Sequence, residues 1–343
     1  MTAACPSCGE TVAVTDGFCE ACGAELAPAV DSACGRDRVE LDIGPAAGVS
    51  DRGVRHSRNE DAMAMASAAL PDGGGPVTVA VVCDGVSSAP RADEASLAGT
   101  RAAIRVLLRG ARTGEDHQEL SVTAARTAGS ALIPLGGPAG NPAATYTAAI
   151  VTPEEVTFSW LGDSRVYWLS AGDPGESECL TKDDSLAEEV VAAGLATMEQ
   201  AMEMPQAHVI TRWLGTDTPD ADPHVARFTP PGPGVVMLCS DGLWNYRPDA
   251  AELAAMVMPD ARTEPLAAAV EFTKFAVESG GMDNITVVLV PFPPAQRLSR
   301  RRHCPGSPWR STTTRTCRPE AVTSARSSPS RRPPASRSRR AAR

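Results

Sequence analysis

A chain of 343 residues, 43% of them apolar, has material for one domain of about 250 residues plus small appendages. Its formal charge of −10 is unevenly spread: from Arg297 onward 14 arginines face a single acid, Glu320, so everything before is strongly acidic. An acidic body disfavours nucleic acid as the main partner, and none is expected. No apolar run approaches the ~20 residues of a membrane span, and the N-terminus lacks the basic and apolar regions of a secretory leader, so a cytoplasmic protein without a membrane partner is expected.

The first predicted element is small. Cys5-x2-Cys8 and Cys19-x2-Cys22 are separated by ten residues, and each pair is followed by a glycine, Gly9 and Gly23. Ten cysteines would be out of place as a disulfide framework in a reducing compartment, whereas two such turns supply four thiolates to one tetrahedral Zn²⁺. Residues 1–25 therefore read as a structural four-cysteine zinc ribbon, too small to fold without its ion. Residues 26–44, with Pro28 and mixed charge, read as a linker, and Cys34 within it has no partner in the pattern.

From about residue 41 to 292 strands and helices alternate in blocks. Strands are predicted near 46–50, 61–67, 77–83, 144–151, 155–161, 164–170, 234–239 and 284–290, and helices over 92–109, 121–132, 185–193, 248–257 and 264–278. The runs 156–160 and 166–169 flank Leu161-Gly162-Asp163-Ser164-Arg165 like the arms of a hairpin. Helices followed by runs of adjacent strands predict an α+β fold with mainly antiparallel sheets. After Pro294 the composition turns to Arg, Ser, Pro and Thr, and all periodicity ends. A disordered basic tail, a basic arm that touches acidic partners, or a stretch translated out of frame accounts for 293–343, and no fold is expected there.

Three of the apolar runs share a feature. Residues 235–239, VVMLC, stop at Ser240-Asp241-Gly242; residues 77–83, VTVAVVC, stop at Asp84-Gly85; and Met282-Asp283-Asn284 leads into ITVVLV at 285–290. A carboxylate at the end of a buried strand needs a cation, because an unpaired buried charge is far more costly than an unmade hydrogen bond. Three such ends facing one way would gather carboxylates into a metal site.

In chain order the motifs are RNED (58–61), CDGV (83–86), GDSR (162–165), LTKDDS (180–185), HVITRWLG (208–215), CSDGLW (239–244) and MDNIT (282–286). Together they resemble the metal-dependent serine/threonine protein phosphatases of type 2C, over a domain of roughly 45–292. The resemblance implies a four-layer α-β-β-α sandwich, two mainly antiparallel sheets flanked by helices. It also implies two Mg²⁺ or Mn²⁺ ions, which as hard ions prefer oxygen ligands. By similarity Asp84 bridges both ions, the carbonyl of Gly85 binds one, and Asp241 and Asp283 hold the other. Glu60, through water, and Asp61 support the pair. Asp163 with Asp241 would bind a weak third ion, which Asp183 or Asp184 is a candidate to join.

Asp84, Asp241 and Asp283 are thus the catalytic candidates. The reaction implied is attack of a metal-activated water on phosphoserine or phosphothreonine of a protein substrate, without a phosphoenzyme. A Ser/Thr protein kinase would be the counterpart, the Lys-poor, Ala/Arg-rich composition suggests a GC-rich bacterial gene, and a monomer is expected. Two positions depart from the family pattern. Where relatives carry a phosphate-gripping Arg four residues before the Glu, this chain has His56, so phosphate binding is assigned to the cluster Arg55, His56 and Arg58. After Asp84-Gly85 comes Val86-Ser87-Ser88-Ala89-Pro90 in place of a stretch that often carries a His, which leaves the general acid unidentified. Two alternatives stand beside this reading: a phosphatase for a sigma-factor regulator, and a catalytically silent phosphoprotein-binding module.

Overall fold

In the computed structural model, which describes residues 2–4, 11–13, 37–218 and 222–294, the apolar runs become strands buried on both faces, as runs without polar alternation must. The strands are β1 (Thr2–Ala4), β2 (Thr11–Ala13), β3 (Arg38–Asp42), β4 (Ala47–Asp51), β5 (Asp61–Ala69), β6 (Pro76–Asp84), β7 (Tyr146–Val151), β8 (Val156–Leu161), β9 (Arg165–Ser170), β10 (Glu178–Cys179), β11 (His224–Phe228), β12 (Gly234–Cys239) and β13 (Ile285–Phe292). The helices are α1 (Ala92–Thr113), α2 (His117–Leu132), α3 (Leu186–Ala192), α4 (Met198–Met202), α5 (Asp241–Trp244), α6 (Ala250–Val257) and α7 (Pro265–Glu278).

Two antiparallel sheets form the centre, one ordered β10-β9-β12-β13-β4-β3 and the other β11-β8-β7-β6-β5. Because side chains alternate along a strand, β6 serves two layers at once. Its Ala80 and Val82 meet Met63, Phe158, Trp168, Leu238 and Val288 between the sheets. Its Val79, Val81 and Cys83 meet Ile104 and Leu107 of α1 and Leu120 and Leu132 of α2. On the far side Leu253 of α6 and Phe272 of α7 cover Tyr167, Met237 and Val287. The layers are therefore helix, sheet, sheet, helix, as the resemblance implied. Helix starts follow side-chain chemistry: Asp116 accepts from the amides of Gln118 and Glu119 at the head of α2, and Asp249 from Glu252 at the head of α6.

Two expectations need correction. Part of the stretch read as linker is a strand: β3 pairs with β4 along its whole length, Val39 is buried, and Arg38 ion-pairs with Asp51 across the ladder at 2.9 Å. Val39 and Leu41 between charged residues give an alternation too short to stand out in the sequence. The second concerns the 161–165 turn, which is not a hairpin. β8 pairs with β7 and β11, whereas β9 pairs with β12 and β10, so this turn carries the chain from one sheet to the other. Gly162 makes the crossing at φ +95°, where a Cβ would also sit 2.9 Å from the Thr145 methyl. The short strands β10 and β11 and the helices α4 and α5 had no counterpart among the predicted elements.

Cys5, Cys8, Cys19, Cys22 and Cys34, and the segment 295–343, lie outside the described residues. What is described at the N-terminus is an antiparallel pair, β1 with β2, Thr2 opposite Ala13 and Ala4 opposite Thr11. No described helix is long and apolar enough to cross a membrane.

Candidate metal and phosphate site

The aspartates meet because of strand direction. Asp61 begins β5 and Asp84 ends the antiparallel β6, so the two stand opposite one another in the ladder. β12 and β13 are likewise antiparallel, with Cys239 opposite Val287. The residues after β12, Ser240 and Asp241, therefore lie beside those before β13, Asp283 and Asn284. The β8–β9 crossing adds Asp163. Thr145 ties that crossing to β6: its amide donates to the Asp84 carbonyl at 2.7 Å, its hydroxyl accepts from the Asp84 amide at 3.0 Å, and it shares a 2.8 Å bond with the Ser164 hydroxyl.

Electrostatics reflect the gathering of these groups. Burial pushes the Asp84 carboxyl well above the usual carboxylate range, and Asp61, Asp241, Asp283 and Asp163 each add repulsion. Burial, then Asp283, pushes Asp241 up to about 7. Burial pushes Asp61 up to about 7, against hydrogen bonds from Thr286 and Ser240. Burial, then Asp241 and Asp183, holds Asp163 well above its ordinary value. Such a set is short of positive charge. Asp61 Oδ1 and Asp241 Oδ1 are also sealed from solvent with no hydrogen-bond partner, as befits oxygens reserved for an ion.

Among the described residues no three His, Cys, Asp or Glu side chains close into a cage by themselves. The donor set, oxygen throughout, fits the hard ions expected.

Polar residues that the sequence motifs contained without a stated role hold the site together. Asn284 Oδ1 accepts from the Glu60 amide at 2.7 Å, and its Nδ2 donates to the carbonyls of Arg52 and Arg58 at 2.8 and 3.2 Å. Asn59 donates to Ser50 Oγ at 2.8 Å and accepts from the Asp61 amide at 3.1 Å. Ser240 Oγ donates to Asp61 Oδ2 at 2.8 Å and accepts from the Thr286 amide at 2.9 Å. The only sequence signal was an amide or hydroxyl residue next to each acid. Trp244 Nε1 donates to the Asp163 carbonyl at 2.9 Å, and the Arg165 guanidinium lies 3.6 Å over the Trp244 ring.

The three basic candidates part company. His56 Nε2 lies 3.1 Å from Asp283 Oδ1. Arg58 Nε donates to Glu60 Oε1 at 3.0 Å and its Nη1 is 3.5 Å from Asp93, while Ser87 Oγ donates to the other Glu60 oxygen at 2.6 Å. Arg55 turns outward, with Nη1 3.6 Å from Met282 Sδ. Gly85 is fixed by its amide, which donates to the Glu60 carbonyl at 3.1 Å. Asp183 is engaged twice by Arg165, at 3.0 and 2.8 Å. Asp184 accepts from the Gly162 amide at 3.0 Å, and its Oδ1 lies 2.8 Å from His224 Nε2.

Solved structures define the class of this fold. The serine/threonine phosphatase Stp1 from Staphylococcus aureus superposes with a TM-score of 0.61 at 23% identity, covering 74% of this chain and 97% of that one. The Mycobacterium tuberculosis serine/threonine phosphatase PstP/Ppp superposes with a TM-score of 0.59 at 26% identity, over 74% and 99%. The catalytic domain of PstP in complex with 2 manganese ions does so with a TM-score of 0.55 at 26% identity, over 74% and 97%. A family model described as Protein phosphatase 2C matches residues 52–271, and the chain belongs to that family. Curated relatives include the serine/threonine phosphatase stp of Listeria innocua, 36% identical over 147 residues, and protein phosphatase PhpP of Streptococcus pneumoniae, 33% identical over 147. These matches cover 43% of this chain and span little more than half of the relatives, 55% and 56% respectively.

Proposed function

We propose that the chain is a metal-dependent phosphatase that hydrolyses phosphoserine and phosphothreonine on proteins, opposing a Ser/Thr protein kinase. The observation that carries this is the convergence of Asp61, Asp84, Asp163 and Asp241 at one end of the sandwich, where burial and neighbouring carboxylates, Asp283 among those acting on the first two and on Asp241, push each of the four carboxyls up. We assign Asp84 and the Gly85 carbonyl to one divalent ion, Asp84, Asp241 and Asp283 to a second, and Asp163 with Asp241 to a weaker third, with Glu60 and Asp61 in support. When bound, Mg²⁺ or Mn²⁺ supplies charge neutralisation at the phosphoryl oxygens and makes water a competent nucleophile near neutral pH.

The chain's own residues orient the substrate. Of the cluster Arg55, His56 and Arg58, the last two lie against Asp283 and Glu60 and so border the ion site; the phosphate is assigned to them, with Arg55 outside on the rim. Ser87 and Ser88 stand where relatives often carry a histidine, so no side chain is assigned as general acid and water is the candidate proton donor to the leaving oxygen. With the full chain, hydrolysis of p-nitrophenyl phosphate is expected to require Mn²⁺, and Asp241→Asn to lower kcat about 10³-fold. No metal-dependent turnover would leave the silent binding module as the better reading.

For the N-terminus the proposal is the four-cysteine zinc ribbon. The cysteine spacing supports it, as does the pairing of β1 with β2, since Cys5 and Cys8 come in the sequence between Ala4 and Thr11. Metal analysis of the purified chain is expected to find about one zinc per chain, lost in Cys5→Ser/Cys8→Ser.

A further inference from the structure

We infer that a lip formed by Val54, Arg55 and Met282 reads the substrate residues that flank the phosphorylated side chain, favouring an aliphatic residue with a carboxylate beside it; this rests on the phosphatase reading above. Single exposed apolar side chains are ordinary. Here two of them, Val54 at 63% and Met282 at 49% exposure, come from distant segments and meet around one point of backbone. The amides of Val54 and Arg55 both donate to the Gly281 carbonyl, at 2.8 and 3.3 Å, and the next residue along is Met282. The Met282 amide in turn donates to the Tyr246 hydroxyl at 2.9 Å. The apolar atoms are thus held in place before any ligand arrives, which lowers the entropic cost of using them.

Position gives the lip its occupant. Met282 precedes Asp283, and Val54 is two residues from His56, the side chain that meets Asp283 at 3.1 Å. With a phosphate held at that point, an extended peptide advancing ~3.3 Å per residue places its next one or two side chains over Val54 and Met282. Charge completes the match. Arg52 pairs with Asp37, and Arg58 with Glu60 and Asp93. Among the described residues Arg55 makes no ion pair, and its guanidinium lies along Met282, exposed. A free cation beside an apolar surface suits a peptide that carries both a carboxylate and an aliphatic side chain.

The experiment uses the full chain with Mn²⁺, p-nitrophenyl phosphate and matched phosphothreonine peptides. Leu is exchanged for Ser, and Asp for Lys, at each of the two positions on either side of the phosphothreonine. At one side, the Leu peptide is expected to exceed the Ser peptide in kcat/KM about five-fold. Val54→Ser/Met282→Ser should erase that ratio while p-nitrophenyl phosphate turnover stays unchanged. Arg55→Glu should invert the Asp-to-Lys ratio. A wild-type chain indifferent to Leu, or a double variant that keeps the preference, would overturn the lip while leaving the phosphatase reading intact. Absence of p-nitrophenyl phosphate turnover would remove that reading and the lip with it.

Discussion

At the scale of the residue, the site is a set of acids kept together against their own repulsion. Asp61 and Asp241, pushed to about 7 by burial, titrate near 3.9 in an unfolded chain. A carboxyl whose pKa rises on folding stabilises the fold below its unfolded value and loses that contribution as pH climbs through the folded one. The metal-free chain is therefore expected to melt at progressively lower temperature between about pH 4 and pH 7. Saturating Mn²⁺ should raise the melting temperature more at pH 8 than at pH 5, because only the ionised carboxylates bind it. Calorimetry with and without a chelator checks both, and a chelated profile that stays flat across this range would mean the acids do not strain the fold. The acids themselves were legible, since an aspartate that closes an apolar run has no place in a core. Their supports were not: the bond from Glu60 to Asn284 joins residues 224 positions apart, and nothing local in the sequence announces it.

At the scale of the element, the long helices and central strands follow from periodicity, and the failures come from pairing. The 161–165 turn satisfies every local hairpin cue, yet β8 finds partners in one sheet and β9 in the other. Which ladder a strand joins is decided by distant chain, and a turn carries no record of it. The same crossing anchors the segment that follows β10. Asp184 holds the Gly162 amide, its own amide donates to the Gly162 carbonyl at 2.9 Å, and the Thr211 amide donates to its carbonyl at 2.9 Å. Both ends of the α3–α4 segment are thereby fastened to the turn that carries Asp163. Asp184→Ala keeps the two backbone bonds but removes the side-chain acceptor of the Gly162 amide and the carboxylate facing His224 and Arg212, and is expected to loosen the segment: trypsin should cut after Lys182 or Arg212 about ten-fold faster than in the unaltered chain, as followed by mass spectrometry of timed digests. Equal cutting rates would place the anchor elsewhere.

At the scale of the whole molecule, two sheets pressed together with helices outside create a single end where strands from both layers terminate, and the acidic motifs map to that end. The layers could be foreseen from family resemblance more readily than from composition, because antiparallel sheets leave only short signals at their margins. β3 is the example. The family match begins at residue 52, past both β3 and β4, although β4 lies between β13 and β3 in the six-stranded sheet.

That margin has a consequence for how the protein behaves in solution. Without β3 the edge of the sheet would be β4, Ala-Gly-Val-Ser-Asp, whereas β3 puts Arg38, Glu40 and Asp42 along that edge, and charged side chains are what discourage an open row of peptide groups from pairing with another copy of the same chain. A chain trimmed to 45–294 should therefore self-associate in light scattering, whereas one trimmed to 37–294 stays dispersed. Five residues that look like spacer would then be the guard that keeps one molecule from zipping onto the next.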